Sequence, residues 1–335
     1  MTEPRILTEP GIYTLTEDNY HEDPLPTPSL SASMAKVLLN KSPRHAGQAH
    51  PKLNPDWKPE EENKFDFGTV AHKLLLGEGR EVVIVEANDW RTKAAQDSRD
   101  DARTQGKTPI LAKDYEIAQA MHKAAIEQLA NIDDCFDAFT GQGQAEAVLA
   151  WQEFDIDGKN PIWCRGKVDW LAKRRSTGHI VIYDYKSSGA DVSPMGLARH
   201  LFDMEYEIAA AMYERGLEAI EGDAAGKIVM RFVVQEKDPP FLLHCAEMDN
   251  GGMTIGRKKV SYAIQLWRRC LLTGNWPGYS NRIVRADMPS YLEDRWLRRE
   301  LGEEDAINSG LDPFMVASAW IPIKPKEVVM LGEGG

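Results

Sequence analysis

The chain predicts an α/β fold, an α+β arrangement around a mixed sheet. Two observations carry this. Three strand-like runs follow one another with tight polar turns: Glu146 to Asp155, Ile162 onward, and Ile180 to Lys186. A helix-like stretch beginning at Ser193-Pro194 then leads to the apolar run GKIVMRFVVQ, residues 226–235. A strand after a helix favours a parallel crossover onto the antiparallel meander, which makes the sheet mixed.

The elements before the meander are mostly helical additions. Residues 1–27 are acidic and contain Pro24 and Pro26, and they read as a flexible arm. Ser29 or Ser31 caps a short helix, Ala32 to Asn40, with Arg44 and His45 just after it. Residues 50–64 read as a polar loop. Phe65 to Leu76 predicts a helix, because Phe67, Val70, Ala71, Leu74 and Leu75 recur at helical spacing and Gly77 can close it. His72 stands at the edge of that apolar stripe. A short strand over 81–86, an exposed helix over 91–105 and a longer helix over 112–130 follow.

The elements after the meander alternate. Ser193-Pro194 pairs a cap with proline at the first helical position, and this helix, broken near Asp203, runs to Ile220. After residues 226–235 come a strand over 241–247 and a helix over 254–272. Residues 28–285 read as one domain and 286–335 as a C-terminal extension or tail.

The chemistry concentrates in IWCRGKVDWLAKRRSTGHIVIYDYKS, residues 162–187. Side chains two apart on a strand share a face, so Asp184 and Lys186 point together. A turn over Arg175–Gly178 puts Asp169 opposite Asp184 and Lys167 opposite Lys186. Like charges facing one another across strands are costly, and a divalent cation between the acids would resolve the conflict. A hairpin at Asp157-Gly158 adds a third acid, placing Glu146 opposite Asp169. Pro161 threatens that register, and a one-residue slip would bring in Glu153 instead. Hard oxygen ligands of this kind hold Mg²⁺ or Mn²⁺ while leaving positions for water and phosphate, as phosphodiester cleavage requires. Asp169, Asp184 and Glu146 would be ligands, with the Tyr185 carbonyl and His72 completing the shell. Lys186 would orient the attacking water and offset charge on the phosphate.

Composition bounds the partners. The net charge is −12, which argues against nucleic-acid binding over the whole surface but leaves room for a local basic channel. Residues 165–186 carry six Lys/Arg against two Asp/Glu, and residues 255–270 carry five and none. No apolar run approaches the roughly 20 residues of a membrane span. MTEPRILTEP lacks the regions of a signal peptide, so a cytoplasmic location is expected. Cys135, Cys164, Cys245 and Cys270 are widely spaced, which points away from zinc or an iron–sulfur cluster.

The pattern Glu146…Asp169…Asp184-Tyr185-Lys186 resembles the PD-(D/E)XK nuclease superfamily, and more closely the phage-type exonuclease VIII family. LSASMAKVLL, SPRHAG, FGTVAHKLLLGEG, EAVLAWQEFDIDGKNPIWCRGKVDWL, IVIYDYKSS, YEIAAAMYERG and NWPGY carry the resemblance, in order, over roughly residues 28–280. It implies a restriction-endonuclease-like αβββαβ core and 5′→3′ digestion of one strand of linear double-stranded DNA. By motif match His72, Glu146, Asp169 and Asp184 are metal ligands and Lys186 the catalytic lysine. Arg44, Arg165, Lys167, Tyr206 and Tyr213 are candidate DNA contacts. A single-strand annealing protein and a homo-oligomeric ring are the implied partners, with a bacterial host cell as the setting if the gene is phage-borne. Val168 stands where the family often has proline, and Ala209 where it usually has glutamine. The competing expectations are a structure-specific or end-processing nuclease and a catalytically inactive DNA-binding scaffold.

Overall fold

The computed structural model describes residues 6–58, 66–174, 177–189, 191–222, 224 and 226–310. Its elements, in chain order, are β1 (Gly11–Thr14), α1 (Glu17–His21), α2 (Ala32–Asn40), α3 (Pro43–Ala49), α4 (Asp66–Leu76), β2 (Val82–Val85), α5 (Lys93–Thr104), β3 (Thr108–Leu111) and α6 (Ala112–Leu129). Then come β4 (Gly143–Glu153), β5 (Ile162–Lys173), β6 (Ile180–Ser188), α7 (Pro194–Asp203), α8 (Tyr206–Glu221), β7 (Ile228–Glu236), β8 (Leu243–Glu247), α9 (Asn250–Thr273) and α10 (Ser290–Asn308). The chain divides into two units between Tyr279 and Ser280. In the second, α10 exposes Tyr291, Trp296, Leu297 and Leu301.

The central sheet has the order β1-β4-β5-β6-β7-β8. Only β6 and β7 run parallel, so the sheet is mixed as the strand–helix–strand order predicts. Helices cover both faces. Leu149, Trp151, Cys164, Ile182 and Phe232 pack on one side with residues of α2, α8 and α9. Trp170, Val181, Tyr183, Tyr185 and Val233 pack on the other with α4 and α6. A small parallel pair, β2 with β3, lies apart from this sheet.

The register of the meander follows the sequence reading. Ala145 faces Trp170 and Ala147 faces Val168, so Glu146 stands opposite Asp169. Pro161 causes no slip, because Glu153 still pairs with Ile162. Asp155 gathers the turn instead, accepting the N–H of Asp157 at 3.1 Å and the Asn160 side-chain amide at 2.6 Å. Between β5 and β6 the pairing runs from Lys173–Ile180 to Trp170–Tyr183, the register expected for a turn at 175–178. Arg175 and Ser176 of that turn lie outside the described residues, as does Phe65 before α4.

Two expectations need correction. The segment expected as a loose arm is built into the fold over residues 6–27: β1 pairs with β4, and Leu7 and Leu25 are buried. Its acids are engaged rather than free: Asp23 pairs with Arg165 and His50, and Glu17 with Arg80. Arg44 and His45 follow α2 as expected, but they lie inside a second short helix that the sequence reading lacked, α3, where Ser42 caps and Pro43 takes the first position. Ser31, not Ser29, caps α2; Ser29 is engaged with Asp23. Residues 1–5 and 311–335 lie outside the described residues.

Close helix packing brings α8 and α9 against the sheet. A Cβ added at Gly256 of α9 would lie 2.3 Å from the Glu207 carbonyl oxygen of α8. Gly256→Ala should therefore destabilise the protein by about 2 kcal/mol, because both backbones must separate. Urea unfolding at neutral pH measures this, and an unchanged midpoint would contradict the packing.

Candidate active site

The site forms where β5 and β6 part. Beyond Trp170–Tyr183 the ladder stops, and Asp169 Oδ2 accepts the Tyr185 N–H at 2.8 Å in place of a backbone partner. Asp184 and Lys186 follow on β6, which stays paired to β7 through Ser188. One edge of β6 is thus held rigidly while the other is free for side chains.

Glu146 enters from β4. Its φ is +52°, a left-handed backbone that a non-glycine residue adopts at some cost. His72 enters from α4, which packs against α6 and β6. Its Nδ1 lies 3.5 Å from Glu146 Oε1, and its Nε2 lies 3.1 Å from Asp169 Oδ2. His72, Glu146 and Asp169 thereby offer ligand atoms all within 4.8 Å of one another. One nitrogen and several carboxylate oxygens form a hard donor set that fits a divalent cation such as Mg²⁺ or Mn²⁺.

Asp184 stands slightly apart. Lys186 Nζ is 2.7 Å from Asp184 Oδ2 and 3.5 Å from Asp169 Oδ2, so its ammonium bridges the two acids. It also lies 3.2 Å from the Tyr185 carbonyl oxygen, the backbone ligand expected from the sequence. The Tyr185 phenol donates to Gln235 at 2.7 Å, which fixes this stretch from the opposite face.

The electrostatics follow from burial and pairing. Burial pushes the Asp184 carboxyl up to about 6, against the pull of Lys186. Burial acts on Asp169 in the same sense, but Lys186, His72 and the Tyr185 N–H together hold it well below the usual range. Burial would lower Lys186, yet Asp169 and Asp184 hold it well above its ordinary value. Burial likewise opposes a charged His72, and Asp169 and Glu146 outweigh it, so the imidazole pKa is raised. A cation at this place would compete with any proton held on the imidazole.

The expected DNA contacts divide. Arg165 is not available to DNA: it is buried, with NH1 3.1 Å from Asp23 Oδ1 and 3.2 Å from the Ser29 carbonyl oxygen. A count of basic residues cannot see this, because the partner acid comes from the N-terminal segment. Tyr213 is also a packing residue. Its ring lies against Gly166, where an added Cβ would be 2.8 Å from it. Tyr206 stacks on Phe232 with ring centres 5.4 Å apart, and Lys36 and Lys186 lie over its ring at 4.9 and 5.9 Å. It supports the lysines beside the acids. Lys167 is in ion-pair contact with Glu146 and 4.0 Å from Glu17. Arg44 is exposed, with its N–H bonded to the Pro277 carbonyl at 3.0 Å. Glu153, the alternative acid, is taken by Arg215 at 2.6 and 2.7 Å. Ala209 is buried in α8.

Sequence reasoning missed Glu17 and Lys36. The Thr16 cap before Glu17 signals a helix start, but nothing local signals that this helix borders the site.

A meander that brings Glu146, Asp169 and the Asp184-Tyr185-Lys186 triplet together, covered by helices on both faces, defines the PD-(D/E)XK nuclease superfamily. The chain belongs to the family described as "PDDEXK-like domain of unknown function (DUF3799)", whose profile matches residues 31–287. No curated protein matches the sequence. Among solved structures, a protein from Eubacterium rectale titled "Putative exonuclease" is 14% identical, with a TM-score of 0.49, over 83% of this chain and 97% of that one. A protein titled SSO0001 is 11% identical, with a TM-score of 0.24, over 61% and 85%.

Proposed function

We propose that the protein is a divalent-metal-dependent exonuclease acting on linear double-stranded DNA. The observation that carries this is the convergence of His72, Glu146 and Asp169 beside the Lys186 ammonium, which lies 2.7 Å from Asp184. Mg²⁺ or Mn²⁺ at these ligands would polarise a phosphodiester and make its attacking water more acidic. His72, Glu146 and Asp169 would hold the cation, with Asp184 and the Tyr185 carbonyl as further ligands. Lys186 donates hydrogen bonds from a fixed place. It aligns the water and offsets charge that develops on the phosphate oxygens. Tyr206 limits where that ammonium can go. Arg44 contacts the DNA backbone from its exposed position on α3.

The 5′→3′ polarity, a single-strand annealing partner and a ring around DNA rest on the resemblance to the exonuclease VIII family. A ring with a basic lumen and an acidic exterior would reconcile the net charge of −12 with a DNA substrate.

The test uses linear duplex, with and without a 5′ phosphate, and closed circular duplex, each with Mg²⁺ or EDTA. Loss of the linear form alone, only with Mg²⁺, is the expected result. Cutting of circles would replace the exonuclease with an endonuclease, and binding without cutting would leave a scaffold.

A further inference from the structure

Two ammonium groups, Lys186 and Lys167, and the His72 imidazole surround the acids. Lys186 is explained by the chemistry above. Lys167 is not. It projects from β5 two residues before Asp169, and its side chain is only 17% exposed. Its ammonium touches the carboxylate of Glu146 and lies within ion-pair reach, 4.0 Å, of Glu17. Glu146 is one of the three residues whose ligand atoms cluster. An ammonium on Glu146 therefore competes directly with any cation that needs this carboxylate.

Glu17 is not placed there by chance of a mobile terminus. β1 pairs with β4 through Gly11–Ala150 to Thr14–Ala147, which ends one residue from Glu146. Thr16 caps α1, and Glu17 is its first residue. After α1 the chain is tied down by buried Asp23, bonded to Ser29 and paired with Arg165 and His50. Tyr20, on the same short helix, lays its ring 5.8 Å from Lys167 Nζ. Glu17 itself is shared with Arg80 at 3.6 Å and His21 at 3.8 Å. The Lys167 ammonium thus stands between two carboxylates, one belonging to the metal cluster and one outside it.

We propose that Glu17 is a positioning residue of the metal centre: when a divalent cation takes Glu146, the Lys167 ammonium transfers to Glu17. In the cation-free protein Lys167 offsets the charge of Glu146. On loading, Glu17 keeps the displaced ammonium paired in a half-buried place where an unpaired charge is costly. The inference rests on the metal-site reading above and adds to it a residue from the N-terminal segment.

Calorimetric titration of the full chain with Mn²⁺, without DNA, tests this through a double-mutant cycle. Glu17→Gln should weaken Mn²⁺ binding about fivefold, since Lys167 then loses its carboxylate partner outside the cluster; an interaction of about 1 kcal/mol corresponds to such a factor. Lys167→Met should tighten binding by removing the competitor. In the Lys167→Met background, Glu17→Gln should change binding less than about twofold, the scatter expected of additive sites. Glu17→Asp should restore most of the parental affinity, which a merely misfolded α1 would not allow. An equal loss in both backgrounds would show that Glu17 acts only as a distant charge and would overturn the transfer. So would weaker binding in Lys167→Met with unchanged thermal unfolding. No Mn²⁺ binding by the parental protein would overturn both this inference and the metal-site reading.

Discussion

Lys186→Ala should lower the rate of duplex cleavage at least about 100-fold, the loss typical of one preorganised donor in an active site. The protein should remain folded. Lys186 is part of neither apolar cluster on the faces of the sheet, and it meets the covering helices through the Tyr206 ring, 5.9 Å from its ammonium. Its ammonium instead bridges Asp184 and Asp169, at 2.7 and 3.5 Å. Removing it leaves two acids facing one another, a repulsion that a bound divalent cation can offset. Single-turnover cleavage of end-labelled linear duplex at saturating Mg²⁺, with circular dichroism on the same sample, measures both. Turnover within about twofold of the parental protein would refute the role given to Lys186, because a lost donor costs far more than that.

Arg165→Met should destabilise the protein by roughly 3 kcal/mol, because it strands a buried carboxylate. Asp23 is fully enclosed; its Oδ1 lies 3.1 Å from Arg165 and accepts the Ser29 hydroxyl at 2.7 Å, and its Oδ2 lies 3.2 Å from His50 Nε2. Burial alone would raise this carboxyl, yet His50, Arg165 and Ser29 hold it down at about 2. An unfolded aspartate titrates near roughly 4. The folded value is the lower one, so the stabilisation is present above about pH 4 and is lost as the pH falls from there through about 2. In Arg165→Met the folded value moves back toward the unfolded one, and this acid-dependent part shrinks. Denaturant unfolding between pH 7 and pH 3 reads both effects. Parental stability combined with weaker DNA binding would return Arg165 to the DNA-contact role that the sequence suggested.

The contrast between Arg165 and Asp169 shows what the sequence made legible. Strand periodicity and two turns suffice to align Glu146, Asp169 and Asp184, because register is local arithmetic on a meander. The three-strand meander and the helix and strand after it were legible in the alternation of apolar runs, and the family resemblance implied that they form an αβββαβ core. Arg165 lies on the same strand as Asp169, four residues away, and strand periodicity places both on one face. What separates their roles is Asp23, which reaches Arg165 only through tertiary folding. The strand β1 was hidden for a related reason: a four-residue edge strand carries too little pattern to stand out from a proline-bearing segment. The left-handed backbone at Glu146 left no mark either, since glutamate is an unusual residue for that conformation. His72 was legible as a helical residue beside an apolar stripe, but its approach to Asp169 depends on how α4 packs over β6.

Crystals grown with Mn²⁺ and measured at its absorption edge test the central claim most directly. An anomalous peak is expected among His72, Glu146 and Asp169, at about 2.0–2.3 Å from their ligand atoms. Lys167 should then be drawn away from Glu146. A peak at another place, or none at saturating Mn²⁺ with His72 still bridging Glu146 and Asp169, would contradict it.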